Sequence, residues 1–216
     1  MSAAPARIAI LDYGMGNLRS VAKALEHVGS RPALTDRAAR VREADGIVLP
    51  GVGAMPRAME EVRRRGLDHL LQERLEAGTP LIGLCMGMQL LFDSTTELGG
   101  AEGLGLLGGP VEVLEAHGLK VPQIGWNPVA WRRRTPLDQG LPDPCAFYHA
   151  NSFAPRPADL DDVIGTAEYG AEFASVVGRE RGPAPVYGLQ SHPEKSGPHG
   201  LALLRNFVGI CARVPA

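Results

Sequence analysis

The chain has 216 residues, of which 44% are hydrophobic, and its formal net charge is −2. A chain of this length buries about 70% of the surface that its unfolded form exposes, so we predict one domain over residues 1–216. The near-neutral charge argues against nucleic acid and anionic membranes as partners, and it favours a solvated surface for the arginines at 132–134.

Cysteine usage indicates the compartment. Three cysteines occur, at positions 85, 145 and 211. Their odd number and wide spacing argue against a disulfide framework and favour a reducing environment. No apolar stretch reaches membrane-spanning length, and the N-terminus has no signal-peptide pattern. We therefore expect a cytoplasmic protein.

Between residues 7 and 90, short apolar runs alternate with amphipathic stretches of helical period. This alternation predicts an α/β fold with an open, largely parallel sheet flanked by helices. The predicted strands are 7–11, 31–35, 46–49 and 80–84, and the predicted helices are 18–28, 55–65, 67–77 and one that begins near 86.

The stretch from 98 to 155 has a different character, with a glycine-rich start and later short strand-like runs. We expect the runs 111–115, 129–131 and 146–149 to form an antiparallel β extension. The pattern then returns to a strand at 185–190 and a helix at 201–211.

Cys85 lies in the stretch GLCMGMQ, between a predicted strand and a predicted helix. In open α/β sheets ligands bind at the carboxyl ends of the strands, where such a turn presents one side chain outward. Gly83 and Gly87 remove Cβ atoms that would clash in a sharp turn, and the helix start favours a thiolate. Cys85 is thus a candidate nucleophile, with a small buried cysteine as the alternative. Cys145 and Cys211 are predicted to be structural.

A nucleophilic thiol needs a base and a group that orients the base. The stretch LQSHPEKSG, at 189–197, contains both. Pro193 favours an extended conformation at His192, and in an extended segment Glu194 projects to the same side. We therefore predict a catalytic triad of Cys85, His192 and Glu194, with a mere loop histidine as the alternative.

Acyl chemistry also needs donors for an oxyanion, usually two backbone N–H groups. The stretch LPGVGAM, at 49–55, follows another predicted strand, and its glycines allow the backbone to approach a substrate carbonyl closely. The N–H of Val52 or Gly53 could then act together with that of Met86. An ordinary glycine turn is the alternative.

Taken in order, these motifs resemble those of the class I, triad-type glutamine amidotransferases, which carry a G-x-C-x-G-x-Q elbow, an upstream glycine-rich loop and a late His-Pro-Glu. The stretches LDYGMGNLRSV at 11–21, PGVGAM at 50–55 and PQIGWN at 122–127 are similar to the branch that supplies ammonia for histidine biosynthesis, and HPEKS at 192–196 agrees with it. The resemblance covers nearly the whole chain. It implies an enzyme that hydrolyses L-glutamine to glutamate and ammonia.

The resemblance also implies how the substrate is held. Gln89, Glu97 and the Gly53 backbone would bind glutamine, and no cofactor or metal ion is expected. The family typically reads Tyr-Phe-Val-His-Ser/Thr-Tyr where this chain has YHANSF at 148–153. Asn151 and Ser152 remain substrate-binding candidates, with backbone contacts still possible.

The implied partner is a (β/α)8-barrel cyclase subunit that receives the ammonia directly, since ammonia in bulk water is largely protonated. Lys195 directly follows the triad segment. We expect Lys195, together with Asn17, Trp126 and Tyr148, to line the docking surface for that partner. A solvated loop lysine is the alternative.

Other functions fit parts of the sequence. A strand followed by Gly14-x-Gly16, a helix and Asp36 imitates a dinucleotide-binding fingerprint, although Arg19 stands where a third small residue must pack. A non-catalytic binding subunit of the same fold is a second alternative, disfavoured by the intact triad set. Within the family, the glutaminases of pyridoxal phosphate synthases are the alternative, disfavoured by the stretches at 12–21 and 122–127.

Overall fold

The computed structural model describes residues 4–213. The strands are β1 Arg7–Leu11, β2 Arg31–Thr35, β3 Gly46–Gly51, β4 Leu81–Cys85, β5 Ser94–Thr95, β6 Ala101–Glu102, β7 Pro110–Val113, β8 Gln123–Trp131, β9 Cys145–Asn151, β10 Phe153–Pro155, β11 Val163–Tyr169, β12 Ala171–Arg179 and β13 Val186–Leu189. The helices are α1 Leu18–His27, α2 Ala38–Arg42, α3 Met55–Arg64, α4 Leu67–Glu76, α5 Met86–Gln89 and α6 Gly197–Cys211.

Within the described residues, nine strands form one sheet in the order β2-β1-β3-β4-β13-β12-β11-β8-β9. The strands from β2 to β13 pair in parallel, and those from β13 to β9 pair antiparallel. A smaller sheet has the order β10-β7-β5-β6. The prediction of an open, largely parallel sheet with an antiparallel extension is therefore confirmed, except that the run predicted at 111–115 lies in the smaller sheet, where β7 pairs antiparallel with β10 and parallel with β5.

Alternate side chains of the parallel strands enter two cores on opposite faces of the large sheet. In β1, Ile8 and Ile10 belong to the core that contains α1 and α6, whereas Ala9 and Leu11 belong to the core that contains α3 and α4. All four are at most 2% exposed. A strand covered on both faces must be apolar at successive positions, and each buried aliphatic side chain contributes roughly 1.5–3 kcal/mol.

Most element boundaries differ from the predicted ones by a few residues, and β8 begins at Gln123 and not at 129. The sequence does not predict the short helix α2, the short strands β5, β6 and β10, or the hairpin β11–β12, which joins the parallel strands to β8 and β9. Helix α6 begins at Gly197, four residues before the predicted start at 201. Among residues 4–213, no helix combines the length and the apolar character needed to cross a membrane.

The side chains of the arginines at 132–134 are 53%, 31% and 55% exposed, which agrees with the predicted solvated surface, and each also pairs with a carboxylate. The pairs are Arg132 with Glu172, Arg133 with Glu180 at 2.8 Å and Arg134 with Asp138 at 2.9 Å. The single domain over 1–216 stays a prediction.

Candidate active site

Cys85 is the last residue of β4 and stands directly before α5, in a backbone conformation that side chains rarely adopt. Its φ is 54° and its ψ is −113°. A non-glycine residue in this region carries local strain, which the surrounding structure must hold in place. The turn leaves the Cys85 side chain at the carboxyl edge of the sheet, beside β3 and β13.

Glycines around this turn allow two backbones to touch, as the sequence predicts. A Cβ atom on Gly87 would stand 1.7 Å from the carbonyl oxygen of Leu49, and one on Gly83 would stand 2.4 Å from that of Gly87. Gly51, which pairs with Cys85 across β3 and β4, would place a Cβ 2.7 Å from the Tyr13 hydroxyl. The elbow can therefore pack against β3 only without these side chains.

His192 reaches the same edge because β13 pairs with β4 and ends three residues before it. Its backbone N–H donates to the Tyr148 carbonyl at 2.8 Å, and its Nδ1 lies 2.9 Å from Glu194 Oε1. The side chains of His192 and Glu194 are only 6% and 1% exposed. His192 is extended, as predicted, with a φ of −103° and a ψ of 92°. Glu194, however, lies in a 3-10 turn, Pro193–Lys195, so the pairing is made by a tight turn and not by a continuous extended segment.

The charge state of His192 depends on opposing effects. Burial lowers its pKa. Hydrogen bonds to Cys85 and Glu194 and the negative charges of both outweigh burial, and the pKa rises to about 9. A carboxylate on Nδ1 leaves Nε2 as the nitrogen that faces the thiol. At neutral pH the imidazole is therefore protonated and able to act as an acid beside the sulfur.

The predicted oxyanion donors lie beside the nucleophile. Val52 and Gly53 follow β3, whose Gly51 pairs with Cys85, and both line the same cavity as Cys85 and Met86. Gly53 has a φ of 111°, which favours glycine, and Val52 is 42% exposed. The loop is thus open to a ligand, while the donor role of its N–H groups stays a prediction.

Tyr13 holds the start of this loop, a contact that sequence reasoning missed. Its ring is fully buried, and its hydroxyl donates to the Pro50 carbonyl at 2.5 Å. Burial and the charge of Cys85 raise the pKa of Tyr13 well above its usual value, so the hydroxyl keeps its proton. The stretch LDYG at 11–14, already singled out in the sequence, contains this residue.

The cavity at the elbow has a volume of about 310 Å³, and its lining includes all five residues predicted to hold a substrate: Gly53, Gln89, Glu97, Asn151 and Ser152. Gln89 and Asn151 each donate a side-chain N–H to the Phe153 carbonyl, both at 3.0 Å. Glu97 accepts the Met55 backbone N–H at 2.8 Å. These contacts fix the walls of the cavity, and the substrate roles of Gln89, Glu97, Asn151 and Ser152 stay predictions.

Three of the four residues predicted for docking lie close together, and one of them, Lys195, lines the cavity. Trp126 and Tyr148 face each other across β8 and β9 with ring centroids 6.2 Å apart, and Lys195 Nζ stands 5.8 Å from the Tyr148 centroid. Trp126 is 59% exposed. Asn17 is exposed at the start of α1, and no described contact joins it to this group.

The other cysteines have no comparable surroundings. Cys145 and Cys211 are at most 1% exposed and lie in the hydrophobic core. Burial raises the pKa of Cys145 to about 11 and that of Cys211 further. Of the three thiols, Cys85 alone stands beside a base.

Two other candidate sites lack the groups that catalysis or cofactor binding would need. A larger cavity of about 480 Å³ lies beside the β11–β12 hairpin, but neither a cysteine nor a histidine lines it. In the dinucleotide alternative, the Asp36 carboxylate would bind a ribose, yet it pairs with Arg65 at 3.0 Å. Among residues 4–213, no cluster of three or more histidine, cysteine and acidic side chains could hold a metal ion.

Comparisons with known proteins show the family and the fold of the chain. Residues 9–211 match the family model for "Glutamine amidotransferase class-I". The chain is 45% identical over 207 residues to "Imidazole glycerol phosphate synthase subunit HisH" of Pseudomonas syringae pv. syringae, covering 93% of this chain and 95% of the relative. It is 46% identical over 200 residues to the protein of that name from Moorella thermoacetica, covering 93% of each.

Solved structures show the same fold at lower identity. PurLQS from Thermotoga maritima gives a TM-score of 0.74 at 20% identity, covering 95% of this chain and 98% of the other. A structure described as a glutamine amidotransferase gives a TM-score of 0.73 at 19% identity, covering 94% and 98%. The α/β architecture therefore matches along almost the entire length of these proteins.

Proposed function

Because the chain belongs to the class-I glutamine amidotransferase family, we infer that it is the glutaminase subunit of imidazole glycerol phosphate synthase. It hydrolyses glutamine to glutamate and ammonia for histidine biosynthesis. The observation that carries the proposed site is the meeting of Cys85 with the buried His192–Glu194 pair in one cavity.

In the proposed mechanism the Cys85 thiolate attacks the side-chain carboxamide carbon of glutamine. The oxyanion of the tetrahedral intermediate receives hydrogen bonds from the N–H groups of Met86 and of Val52 or Gly53. Protonated His192 gives its proton to the departing ammonia, which leaves a thioester on Cys85. Water then attacks the thioester with neutral His192 as the base, and glutamate leaves.

The partner belongs to the same proposal. We place the cyclase, a (β/α)8 barrel, against the face that carries Trp126, Tyr148 and Lys195. An exposed indole beside an aromatic ring and a cation is the kind of anchor that protein interfaces use. We assign the protein to the cytoplasm, because its three free cysteines fit a reducing compartment.

The test is a glutaminase assay with and without the cyclase subunit and its nucleotide ligand. The complex that contains the wild-type subunit should release glutamate. With Cys85→Ala the rate of glutamine hydrolysis should fall at least about 1,000-fold, because the covalent step is removed. Synthesis from ammonium salts should survive in the Cys85→Ala complex, which shows that the partner still works. Near-wild-type glutamine turnover by Cys85→Ala would disprove the nucleophile assignment.

Within the triad the losses should differ in size. His192→Ala removes the acid and base and should be about as severe as Cys85→Ala. Glu194→Gln keeps a hydrogen-bond acceptor for Nδ1 and should be milder. A subunit without chemistry of its own would show no effect of any of these changes on turnover by the complex.

A further inference from the structure

Gln190 lies directly behind the nucleophile, in a place that the proposed mechanism does not use. It is fully buried, and its backbone N–H donates to the Ser175 carbonyl at 2.8 Å. Its side-chain Nε2 stands 3.9 Å from Cys85 Sγ, within reach of a hydrogen bond to sulfur. Its Oε1 accepts an N–H from Gln89 Nε2 at 3.1 Å. One buried amide thus connects the sulfur to a residue predicted to hold the substrate.

The direction of these hydrogen bonds is set by the backbone. The Phe153 carbonyl can only accept, so Gln89 must present its NH2 group there, at 3.0 Å. The second N–H of that group points to Gln190, which must therefore present its oxygen to Gln89. Nε2 of Gln190 is then left facing Cys85, whereas the reversed amide would place an oxygen against the sulfur.

A donor in this position favours the anionic form of the sulfur. Hydrogen bonds to charged groups are stronger than those between neutral groups, and they gain further in a buried, low-dielectric site. Each N–H in the series from Gln89 to Gln190 to Cys85 polarises the next in the same sense. The N–H dipole nearest the sulfur therefore points at the position where negative charge resides.

We propose that Gln190 is a further catalytic residue, which donates a hydrogen bond to the Cys85 thiolate and is held in that orientation by Gln89. The inference rests on the proposed glutaminase chemistry at Cys85. It assigns Gln89 a second task besides the predicted contact with glutamine, because Gln89 also fixes the amide that faces the nucleophile.

Two substitutions at Gln190 test the proposal. Gln190→Met keeps the volume and removes the donor, and Gln190→Glu keeps an acceptor for Gln89 but places an oxygen against the sulfur. We expect kcat for glutamine to fall by about 10-fold or more in both, with KM changed by less than about 3-fold. The pH midpoint for alkylation of Cys85 by iodoacetamide should rise by about one unit, because the thiolate loses a hydrogen-bond donor. The two other groups that interact with the sulfur, His192 and Tyr13, are the same in both variants.

Asn206→Leu is the matched control. The Asn206 side-chain amide donates to the Leu137 and Gln139 carbonyls, both at 2.9 Å, and the residue lies on α6, away from the cavity lining. The control should leave kcat and the alkylation midpoint unchanged, and thermal unfolding should show that each variant is folded.

The outcomes separate three cases. An unchanged alkylation midpoint with a raised KM in either folded Gln190 variant would mean that Gln190 only supports the cavity wall, and this would overturn the proposal. Unchanged kcat and midpoint would overturn it as well. Absence of glutamine hydrolysis by wild type with its cyclase would instead contradict the proposed function, because alkylation of Cys85 can be measured without turnover.

Discussion

Two buried histidines on neighbouring elements have pKa values shifted in opposite directions, because their partners differ. Burial lowers the pKa of both side chains. His192 faces the negative charges of Cys85 and Glu194, which outweigh burial and raise its pKa to about 9. His149, fully buried on β9, has hydrogen-bond partners in the Phe147 carbonyl at 3.1 Å and the Ser175 hydroxyl at 2.8 Å, and burial, with the charge of His192, lowers its pKa to about 4. At neutral pH the first ring is charged and the second is neutral.

His149 should make the fold sensitive to acid. Its folded pKa lies below the ordinary 6.5, so the unfolded chain binds more protons between pH 6.5 and 4. The stability that His149 contributes is complete above pH 6.5 and is lost as the pH falls towards 4. The loss amounts to up to about 3 kcal/mol. Urea unfolding at pH 7 and pH 4.5 should show a smaller loss in His149→Phe than in wild type, and equal losses would contradict this assignment.

Thiol reactivity should single out Cys85. A glutamine-like electrophile at pH 7.5 should modify Cys85 at least about 10-fold faster than Cys145 or Cys211, because reactivity follows thiolate character and access. Burial raises the pKa of both other thiols, and both lie in the core. Peptide mass spectrometry measures the three rates separately. Denatured protein, in which all three thiols should react alike, is the control, and preferential modification of Cys211 in the native state would refute the elbow assignment.

At the scale of the elements, the site depends on how closely β3 and the elbow approach each other. Gly87 is the tightest point, with the Leu49 carbonyl oxygen where its Cβ would be. Strand β3 supplies the predicted oxyanion loop and β4 supplies Cys85, so a shift between them would move both sets of groups at once.

Gly87→Ala should therefore be costly for both stability and activity. We expect the free energy of unfolding to fall by about 3 kcal/mol or more, since the Leu49 carbonyl oxygen belongs to the backbone and cannot move aside easily. Gly209→Ala is the matched control, because Gly209 lies within α6 with nothing within 4 Å of an added Cβ. Alanine there should stabilise the protein by about 0.5–1 kcal/mol. Denaturant unfolding compares the two, and equal stabilities would show that the elbow tolerates a methyl group.

The elements that sequence predicts best are those with a strong local pattern. Strands β1 and β2 agree residue for residue with their predicted ranges. In β1 the reason is a continuous apolar run from Ile8 to Leu11, a pattern that has few other interpretations in so short a segment. The hairpin β11–β12 is rich in alanine, glycine and glutamate, which are depleted in strands, and β8 and β13 supply the partners that make it regular. Helix α2 has five residues and buries only Val41, so it shows almost no periodicity.

The same contrast holds for the site. Cys85, His192 and Glu194 lie in short motifs whose chemistry can be read from a few neighbouring letters. Gln190 and Tyr13 also lie in noted stretches, but their contacts are with residues far away in the sequence. Local pattern therefore indicated which segments matter, and only the pairing of strands showed which side chains meet.

At the scale of the whole molecule, the cavity opens beside the surface that we propose for the cyclase. Lys195→Ala should weaken the complex or reduce the yield of ammonia transfer, without affecting alkylation of Cys85. Breaking a desolvated charge pair would cost roughly 2–5 kcal/mol of binding free energy, whereas breaking an exposed pair would cost under about 1 kcal/mol. Titration calorimetry with the cyclase gives the affinity, and the ratio of product to glutamate gives the coupling.

Lys23→Ala is the control for that experiment, because Lys23 is an exposed lysine on α1 that does not line the cavity. It should change neither affinity nor coupling. If Lys195→Ala behaves like Lys23→Ala in both measurements, Lys195 is an ordinary solvated lysine.

The pairing of β4 with β13 has a consequence for the protein during its synthesis. A ribosome completes Cys85 long before it completes His192, and the proposed base reaches the sulfur only when β13 has taken its place between β4 and β12. A nascent or prematurely terminated chain that ends before residue 192 therefore carries the thiol without its base. Such fragments should consume no glutamine, and the cell gains the activity only with molecules whose central sheet is complete.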